Sequence, residues 1–327
     1  MRGVIPLRHL RSDPPPEVMG IAMDSNLPSA LESESSAGRV LEVTLLGAPN
    51  AGKSSLANAL LQSRVSAVSP KAQTTREQVI GILQDKATNT QVVLSDTPGV
   101  VPPRLQKSYG REVAVTGWES MQEADVVAVV VDAARKIDDM TLSIVNRLTR
   151  DRSHINASEI LLILNKMDLV EPRERVLPKV DEYNRDNIFN EIFFVSALKG
   201  SGLDELKNYL ISKAAPGDLP YPTDWTTDQS LLEQTEEVIR EKIFQRTNSD
   251  VPYRVWQENL AWYTSKKDGG YIIHQNILVP NVRIKKILVG EGGRTIKCIS
   301  MGVQQELEKL CKRKVHLYLE VKVQEKR

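Results

Sequence analysis

The stretch GAPNAGKS, Gly47 to Ser54, indicates the fold of the first domain. It fits the phosphate-binding pattern G-x-x-x-x-G-K-[ST] and lies between a predicted strand and a predicted helix. Gly47 and Gly52 let the backbone wrap closely around phosphate, where successive N–H groups and a helix N-terminus attract anions. Lys53 is expected to reach the β and γ phosphates, and the Ser54 hydroxyl to bind magnesium. The other residues here that we expect to contact a nucleotide are Asn50, Ala51 and Ser55.

Six short apolar runs lie between Val40 and Lys213, and helical patterns separate them. In chain order the runs are VLEVTLL, EQVIGIL, QVVLS, DVVAVVV, EILLIL and EIFFVS. Several are apolar throughout, as strands covered by helices on both faces are. The alternation predicts a doubly wound α/β P-loop domain with a mostly parallel sheet.

The motif DTPG marks a second phosphate contact. Asp96 closes the run QVVLS and is placed to hold magnesium, and the Gly99 amide could meet the γ-phosphate. Val100 follows at the position where small GTPases carry a glutamine that orients the attacking water, and a valine side chain cannot form that hydrogen bond. We therefore expect slow intrinsic hydrolysis, with the water positioned by a switch backbone, an ion or a partner.

The motif NKMD, Asn165 to Asp168, indicates guanine as the base. It follows the run EILLIL, so its side chains, including Lys166, should emerge at the carboxyl edge of the sheet, where ligands bind in such folds. Asp168 can accept hydrogen bonds from both N–H groups on the Watson–Crick edge of guanine, and adenine offers no such pair. The less specific motif SALKG could supply backbone N–H groups, at Ser196 and Ala197, to the guanine carbonyl.

A second domain follows the Pro-rich segment AAPGDLPYPTDW, Ala214 to Trp225. Its patterns are the helix LLEQTEEVIREKIF, two extended runs around the turn KKDGG, the helix VRIKKILV, the loop GEGG, another helix and the alternating strand VHLYLEVKV. These patterns predict a small α+β domain. We divide the chain into a leader at 1–38, a GTPase domain at 39–215, a linker at 216–228 and this domain at 229–327.

The helix–GEGG–helix element resembles a KH domain of the type with N-terminal helix and strands, whose GXXG loop clamps a nucleic-acid backbone. Positive charge is concentrated in this region, since residues 250–327 contain 15 Lys and Arg against 8 Asp and Glu. Glu291 puts a negative charge beside the phosphate path and should weaken nonspecific affinity. The residues expected to bind RNA are Lys285, Lys286, Gly290, Glu291, Gly292, Gly293, Arg294 and Lys297, with Arg283 nearby.

Other residues of this domain have two interpretations each. Trp256, Trp262 and Tyr263 lie in the hairpin and could stack bases or pack against the helices. The run KRK, Lys312 to Lys314, could touch RNA or form a solvated turn.

Composition excludes several classes of protein. The chain has 327 residues and 41% hydrophobic content, enough for two cores, and no run approaches the roughly 18 apolar residues of a membrane span. Its two cysteines, Cys298 and Cys311, lack zinc-ligand spacing, and we expect buried free thiols. The leader lacks apolar periodicity and begins with arginines and no acid, which suits either an organelle transit peptide or an ordinary flexible N-terminus.

Taken together, the motifs resemble the Era family, in which a GTPase domain is joined to a C-terminal KH domain. The resemblance covers Val40 to Val323 and includes the stretches GAPNAGKSSL, KAQTTRE, DTPG, NKMD, SALKGSGLDEL, VPYRV and ILVGEGGRTIK. It implies that Thr75, or else Thr74, completes the magnesium shell and senses the γ-phosphate. It also implies that Asn50 helps hold a potassium ion against the phosphates, and a loop-capping asparagine is the alternative.

The same resemblance implies a GTP-dependent factor that binds small-subunit ribosomal RNA near its 3′ end during ribosome assembly. GTP would order the switches, of which QTTRE at Gln73 to Glu77 resembles the first, and would set the KH domain in a binding-competent pose. Hydrolysis would permit release. The expected ligands are GTP or GDP, Mg²⁺ and K⁺, and the expected partner of the monomer is the ribosomal subunit, with peripheral membrane association as an option. The leader favours the mitochondrial matrix over the cytoplasm. The alternative function is an RNA-binding assembly scaffold with a mainly structural nucleotide site.

Overall fold

The computed structural model describes residues 37–69, 78–98, 121, 124–247 and 251–324. Most of the predicted leader, the QTTRE run at 73–77 and the pair Gly99 and Val100 lie outside these ranges. Within them, no helix is long and apolar enough to cross a membrane. The same residues contain no group of three or more His, Cys, Asp or Glu side chains arranged to hold a metal ion.

The N-terminal part of the described chain is built around a seven-stranded sheet. Its strands are β1 (Ala37–Leu46), β2 (Val79–Asp85), β3 (Thr90–Asp96), β4 (Val126–Asp132), β5 (Glu159–Asn165), β6 (Glu191–Phe194) and β7 (Ala215–Asp218). The main order is β2-β3-β1-β4-β5-β6, and β2 and β7 run antiparallel to their neighbours. The expected doubly wound, mostly parallel sheet is confirmed.

Helices cover both faces of this sheet and bury the strands that are apolar throughout. They are α1 (Lys53–Leu61), α2 (Asp139–Arg150), α3 (Leu177–Tyr183) and α4 (Leu203–Lys213). On one face Leu56 of α1 and Leu210 of α4 enter a core, and on the other Ile144 and Leu148 of α2 enter a second. With both faces covered, the carboxyl ends of the parallel strands are left to carry polar groups.

The Pro-rich segment after α4 contributes to the sheet, which its composition did not predict. β7 pairs antiparallel with the first residues of β1, from Ala37 to Val40, although it contains Pro216. Proline is tolerated there because β7 is an edge strand. Further on, Thr227 bridges Gly81 of β2. Much of the predicted linker therefore lies along the GTPase sheet.

The C-terminal part is a three-stranded sheet covered by helices. Its elements are α5 (Leu231–Arg246), β8 (Trp256–Thr264), β9 (Tyr271–Val279), α6 (Val282–Val289), α7 (Arg294–Cys311) and β10 (Val315–Val323). The strand order is β10-β9-β8, with β10 parallel and β8 antiparallel to β9. Element order and topology match the KH domain of the expected type.

Local signals and apolar burial explain why these helices form. Ser230 and Glu233 form a capping box at the start of α5, where each side chain bonds the backbone of the other. Ile239 of α5, Leu288 of α6 and Leu307 of α7 are fully buried in the KH core. Three helices thus share one core with the inner face of the sheet.

The expectation of buried thiols is wrong for Cys298. In α7 the fully buried positions are Ile299, Val303 and Leu307, which recur every four residues along one face. Cys298 precedes Ile299 and is exposed, and Cys311 at the end of the helix is half-buried. Burial raises the pKa of the Cys311 thiol, and Arg313 partly opposes that shift.

The hairpin aromatics divide between the two interpretations. Trp262 packs on the KH core and meets Tyr271 edge to face, with ring centroids 5.6 Å apart. Trp256 and Tyr263 are about half exposed, and Tyr263 stacks on His274 instead of on a helix. Trp262 and Tyr263 are neighbours, so their side chains point to opposite faces of the sheet. Trp256 lies six residues before Trp262, and the register shift between Asn259 and Ala261 puts it on the opposite face from Trp262.

Candidate nucleotide and nucleic-acid sites

The phosphate loop occupies the sharp connection between β1 and α1. Gly52 (φ 98°) and Asn50 (φ 65°) adopt left-handed backbone conformations. A methyl group at Gly52 would collide with the side-chain amide of Asn165, so glycine is required by both conformation and space. The first turn of α1 contains no acidic residue, so no side chain there compensates the positive end of the helix dipole that an anion would meet.

Lys53 lies beneath this loop. Its side chain is 6% exposed and donates hydrogen bonds to the Gly47 and Ala48 carbonyl oxygens over 3.1 and 3.3 Å. Burial lowers the pKa of Lys53 to about 8, and the negative charge of Asp96 opposes the shift. A bound phosphate would supply further negative charge and favour the protonated amine.

Asp96, at the end of β3, fits the role of a magnesium ligand. It is 1% exposed, and burial raises its pKa, while Lys53 and the hydroxyls of Ser54 and Ser66 oppose the shift. Neither carboxylate oxygen has a hydrogen bond of ordinary geometry to any residue that the structure describes. Because a buried carboxylate beside a serine hydroxyl is a hard-oxygen donor set, these residues fit Mg²⁺.

Asn165 joins three of the predicted motifs. Its Nδ2 donates to the Ala51 carbonyl oxygen over 3.2 Å, and its Oδ1 accepts from the Ala197 N–H over 3.1 Å. The Ser196 hydroxyl donates to Oδ1 of Asp168, whose side chain is otherwise exposed to solvent. One buried amide therefore fixes the phosphate loop, NKMD and SALKG relative to each other, with the Asp168 carboxylate facing outward.

Asp132 is a site residue that the motifs did not reveal. Lys166 donates from Nζ to the Asn50 carbonyl oxygen over 2.7 Å and to Oδ2 of Asp132 over 2.6 Å. The other Asp132 oxygen accepts the Ala134 N–H over 3.0 Å. Asp132 ends β4 directly opposite Asn165 of β5. That position was the available signal, since an acid that ends an apolar strand beside a known site lies at the same sheet edge.

The GEGG loop connects α6 and α7 at an open part of the surface. Gly292 and Gly293 have left-handed backbone (φ 58° and 78°), and a methyl group at either would meet no atom within 4 Å. The strained conformation requires glycine, and the open space lets a phosphate approach the backbone. Lys286, Arg294 and Lys297 are exposed around the loop, as is Glu291, while Lys285 is half-buried.

A groove of about 390 Å³ lies beside this loop, between the first turns of α7 and the KH sheet. Lys297 and Ser300 line its helix side, and Gln275 and Asn276 of β9 line its floor. Nε2 of Gln275 and Oδ1 of Asn276 are buried and have no hydrogen-bond partner within the described ranges. Because the two residues are neighbours on β9, their side chains point to opposite faces of the sheet, and only Gln275 shares the helix-covered face of Ile273 and Ile277, where its Nε2 leaves one donor beneath the groove without a partner in the described chain.

The KRK run forms a turn at the end of α7. Lys312 has left-handed backbone at the helix C-cap, and the Lys314 carbonyl oxygen accepts the Tyr271 N–H over 2.9 Å. All three basic side chains are exposed. The turn interpretation describes the backbone, and RNA contact by these side chains stays a prediction.

Comparison with known proteins agrees with both domains. A family model described as 50S ribosome-binding GTPase matches residues 42–166, and a KH domain model matches residues 255–327. GTPase Era of Bradyrhizobium sp. (strain BTAi1) is 38% identical over 283 residues, which cover 86% of this chain and 88% of that protein.

This chain belongs to the Era family of GTPases.

Other Era proteins and structures extend the similarity over both domains. GTPase Era of Brucella suis biovar 1 is 35% identical, and the match covers 91% of this chain and 92% of that protein. An Aquifex aeolicus Era variant bound to GDP.AlF4- superposes with a TM-score of 0.80 at 32% identity, covering 88% of this chain and 94% of the other. Era in complex with MgGDPNP and nucleotides 1506–1542 of 16S ribosomal RNA has a TM-score of 0.79, with the same identity and coverage.

Similarity to Era proteins does not support two groups of predictions, one on location and one on the roles of particular site residues. The Era relatives named above are bacterial, so they give no support to a mitochondrial location. Thr75, its alternative Thr74, and Gly99 lie outside the described residues. Their roles at the magnesium ion and the γ-phosphate stay predictions, as do those of Ser55 in α1 and of Asn50 toward potassium.

Proposed function

We propose that this Era-family GTPase hydrolyses GTP to GDP and phosphate and binds small-subunit ribosomal RNA near its 3′ end during ribosome assembly. The nucleotide state controls RNA binding and release. The observation that carries the proposal is the hydrogen-bond network of Asn165, which joins the phosphate loop to the guanine corner on a chain that also has a KH domain. The Era structure with 16S ribosomal RNA supports the choice of RNA.

In the nucleotide site, the roles follow from the donors and acceptors that the chain presents. Lys53 and the N–H groups of the loop bind phosphate, and Asp168 accepts from the guanine edge. Ser54 and Asp96 hold Mg²⁺, with Thr75 as the third predicted ligand; when bound, the ion neutralises charge on the β and γ phosphates. The Gly99 amide meets the γ-phosphate.

Because Val100 cannot orient water, intrinsic hydrolysis is slow. We assign the orientation of the attacking water to a potassium ion at Asn50, to a switch backbone or to the RNA partner. The left-handed backbone of Asn50 and the bond from Lys166 to its carbonyl oxygen hold this residue of the phosphate loop in one backbone conformation.

In the KH domain, the open GEGG backbone and the cations around it hold the RNA backbone. Lys286, Arg294 and Lys297 supply charge without sequence information, whereas Gln275 beneath the groove contacts a base edge. Glu291 reduces affinity for RNA that makes phosphate contacts alone.

The partner and location follow from the same assignment. We propose a monomer that works in the cytoplasm on the small ribosomal subunit, since the Era relatives are bacterial. The mitochondrial alternative depended on the leader, most of which is outside the described residues. Peripheral membrane association stays a prediction.

Lys53→Ala distinguishes this function from the scaffold alternative that Val100 suggests. A cycling GTPase loses hydrolysis and the nucleotide dependence of RNA binding, and fails to restore ribosome assembly in bacteria depleted of their own Era. A scaffold with a structural nucleotide site still restores assembly. Lys86→Ala, in the exposed turn between β2 and β3, is the matched control and should behave as wild type.

Gly292→Asp together with Gly293→Asp tests the RNA site. The two carboxylates should repel phosphate and abolish binding of a 16S 3′-end oligonucleotide, while GDP affinity is unchanged. Gly269→Asp, in the β8–β9 turn, is the control because Gly269 also has left-handed backbone (φ 70°) and open space. Equal RNA affinity in wild type, the double variant and Gly269→Asp would refute the role of the GEGG loop in RNA binding.

A further inference from the structure

The segment Arg64–Val68, which follows α1, contacts both domains. Its middle is fixed to the phosphate-loop helix by Asn58 of α1. Oδ1 of Asn58 accepts the N–H groups of Val65 and Ser66 over 2.9 and 3.0 Å, and Nδ2 donates to the Ser66 carbonyl oxygen over 2.8 Å. The segment therefore moves with α1, the helix that begins at Lys53.

The ends of the same segment are bound by Glu241, which belongs to α5 of the KH domain. Oε2 of Glu241 accepts the Val68 N–H over 3.1 Å, and Oε1 pairs with the Arg64 guanidinium. Arg64 also reaches Glu306 of α7 at 3.2 Å. Because Glu241 is only 1% exposed, its charge depends on these donors, on Gln245 and on Lys242 at 3.7 Å in place of water.

Ser66 brings this segment to the magnesium site. Its side chain is 2% exposed, and its hydroxyl lies close enough to the Asp96 carboxylate to lower the pKa of that group. Oγ makes no hydrogen bond of ordinary geometry to other described residues, as is true of both Asp96 oxygens. Ser66, whose hydroxyl is next to Asp96, is therefore two positions along the chain from Arg64 and two from Val68, the residues that contact Glu241.

The boundary between the domains has room to rearrange at this point. A cavity of about 190 Å³ lies between the segment and the KH helices, lined by Arg64, Ser66, Glu241 and Glu306 among others. A boundary with free volume permits relative motion of domains more readily than a closely packed one. Any motion of the KH domain must either carry the Arg64–Val68 segment with it or break the Glu241 contacts.

We propose that Glu241 is a positioning residue that couples the magnesium site of the GTPase domain to the placement of the KH domain, acting through Arg64, Val68 and Ser66. A nucleotide bound at the start of α1 acts on the segment through the Asn58 contacts to Val65 and Ser66, and Glu241 transmits that change to α5. By linkage, RNA held on the KH domain acts on the magnesium site through the same contacts. The inference rests on the proposed function, since it names how one site regulates the other.

A purely stabilising interdomain ion pair is the competing explanation, and coupling measurements separate the two. The full-length chain is titrated with a fluorescent 16S 3′-end oligonucleotide in Mg²⁺ with GDP or with a non-hydrolysable GTP analogue. The ratio of the two RNA dissociation constants is the coupling. Glu241→Gln keeps the shape but removes the charge, so we expect the ratio to move toward one by about fivefold or more, the size of ordinary allosteric coupling.

A second readout does not depend on RNA. The Mg²⁺ concentration that half-maximally slows release of a fluorescent GDP analogue should rise in Glu241→Gln, because Ser66 and Asp96 are less well held. Arg64→Gln removes the other partner of the ion pair, on the GTPase side, and should change the coupling ratio and the Mg²⁺ dependence in the same way. It serves as the test if Glu241→Gln does not fold. Arg240→Gln is the control, since Arg240 pairs with Glu237 inside α5.

The outcomes are distinct. A wild-type coupling ratio that persists in both Glu241→Gln and Arg64→Gln overturns this inference, even where both variants melt at lower temperature. A wild-type ratio of one overturns it as well, together with the nucleotide control of RNA binding in the proposed function, and leaves GTP hydrolysis and RNA binding themselves standing. Absence of GTP binding or of RNA binding in wild type would instead refute the proposed function. Loss of coupling in both variants, with Arg240→Gln unchanged, supports Glu241 as the coupling residue.

Discussion

Replacing Asp132 with asparagine removes one charge from the guanine corner, and with it the ion pair to Lys166 and a second, mostly exposed pair to Arg135 at 3.4 Å. An asparagine oxygen can still accept the Ala134 N–H bond, but a neutral amide cannot form the ion pair with Lys166, whose Nζ lies 2.6 Å from the carboxylate. Lys166 then keeps the Asn50 carbonyl oxygen, at 2.7 Å, as its partner within the described chain. We expect the lysine to lose its fixed position between the base site and the phosphate loop.

The size of the effect follows from the burial of the pair. The side chains of Asp132 and Lys166 are 11% and 29% exposed, so the pair is better shielded than a surface ion pair. Exposed pairs contribute about 0–1 kcal/mol, and hydrogen bonds to charged groups about 1.5–3 kcal/mol. An intermediate loss of about 1–2 kcal/mol corresponds to a fall in GDP affinity of about 5- to 30-fold.

Titration of the nucleotide-free full-length chain with a fluorescent GDP analogue measures this loss. Asp125→Asn is the matched control, because Asp125 precedes the opposite end of β4 and accepts the Glu42 N–H over 2.9 Å. In a Lys166→Met background, Asp132→Asn should have little further effect. An affinity within twofold of wild type, or an equal loss in the Lys166→Met background, would refute the reasoning.

Three other predictions follow from single side chains. Hydrolysis should be faster in potassium than in sodium and Asn50→Ala should remove the difference, so equal wild-type rates in the two salts would contradict the role of Asn50. The folded state lowers the pKa of Lys53 from 10.5 to about 8, so the unfolded chain binds more protons between these values. Nucleotide-free protein should therefore gain stability from pH 8 to 10.5 in chemical denaturation, and Lys53→Met should lose that gain. Leu288→Ala should cost about 2–5 kcal/mol in the KH core, measured as a lower melting temperature, and GDP affinity should stay normal.

Local patterns predicted the helices, strands and loops well where hydrophobic periodicity agrees with the positions of glycine and proline between them. The helix VRIKKILV and the loop GEGG were read directly from apolar spacing and glycine. The strands of the GTPase sheet were likewise visible as apolar runs, because burial on both faces leaves little choice of residue. β7 was missed for the opposite reason, since its Pro and Gly suit a connector and its pairing depends on a free edge of β1.

Side-chain contacts between distant parts of the chain were not predictable in the same way. The Glu241 carboxylate and the Val68 N–H are 173 positions apart, and no spacing rule connects them. The same holds for Ser66 beside Asp96, and for the exposed position of Cys298, which depends on the face of α7 that meets the sheet.

The sequence by itself determined the chemistry of the nucleotide site and the identity of both domains, because loops that bind phosphate and guanine need particular residues at short, fixed spacing. The tertiary structure decided how those motifs work together: Asn165 joins three of them, Asp132 holds Lys166, and Glu241 connects the KH domain to the segment beside Asp96. The physical reason is that such contacts need only one buried donor near one acceptor. Chain folding, and no local pattern, brings them together.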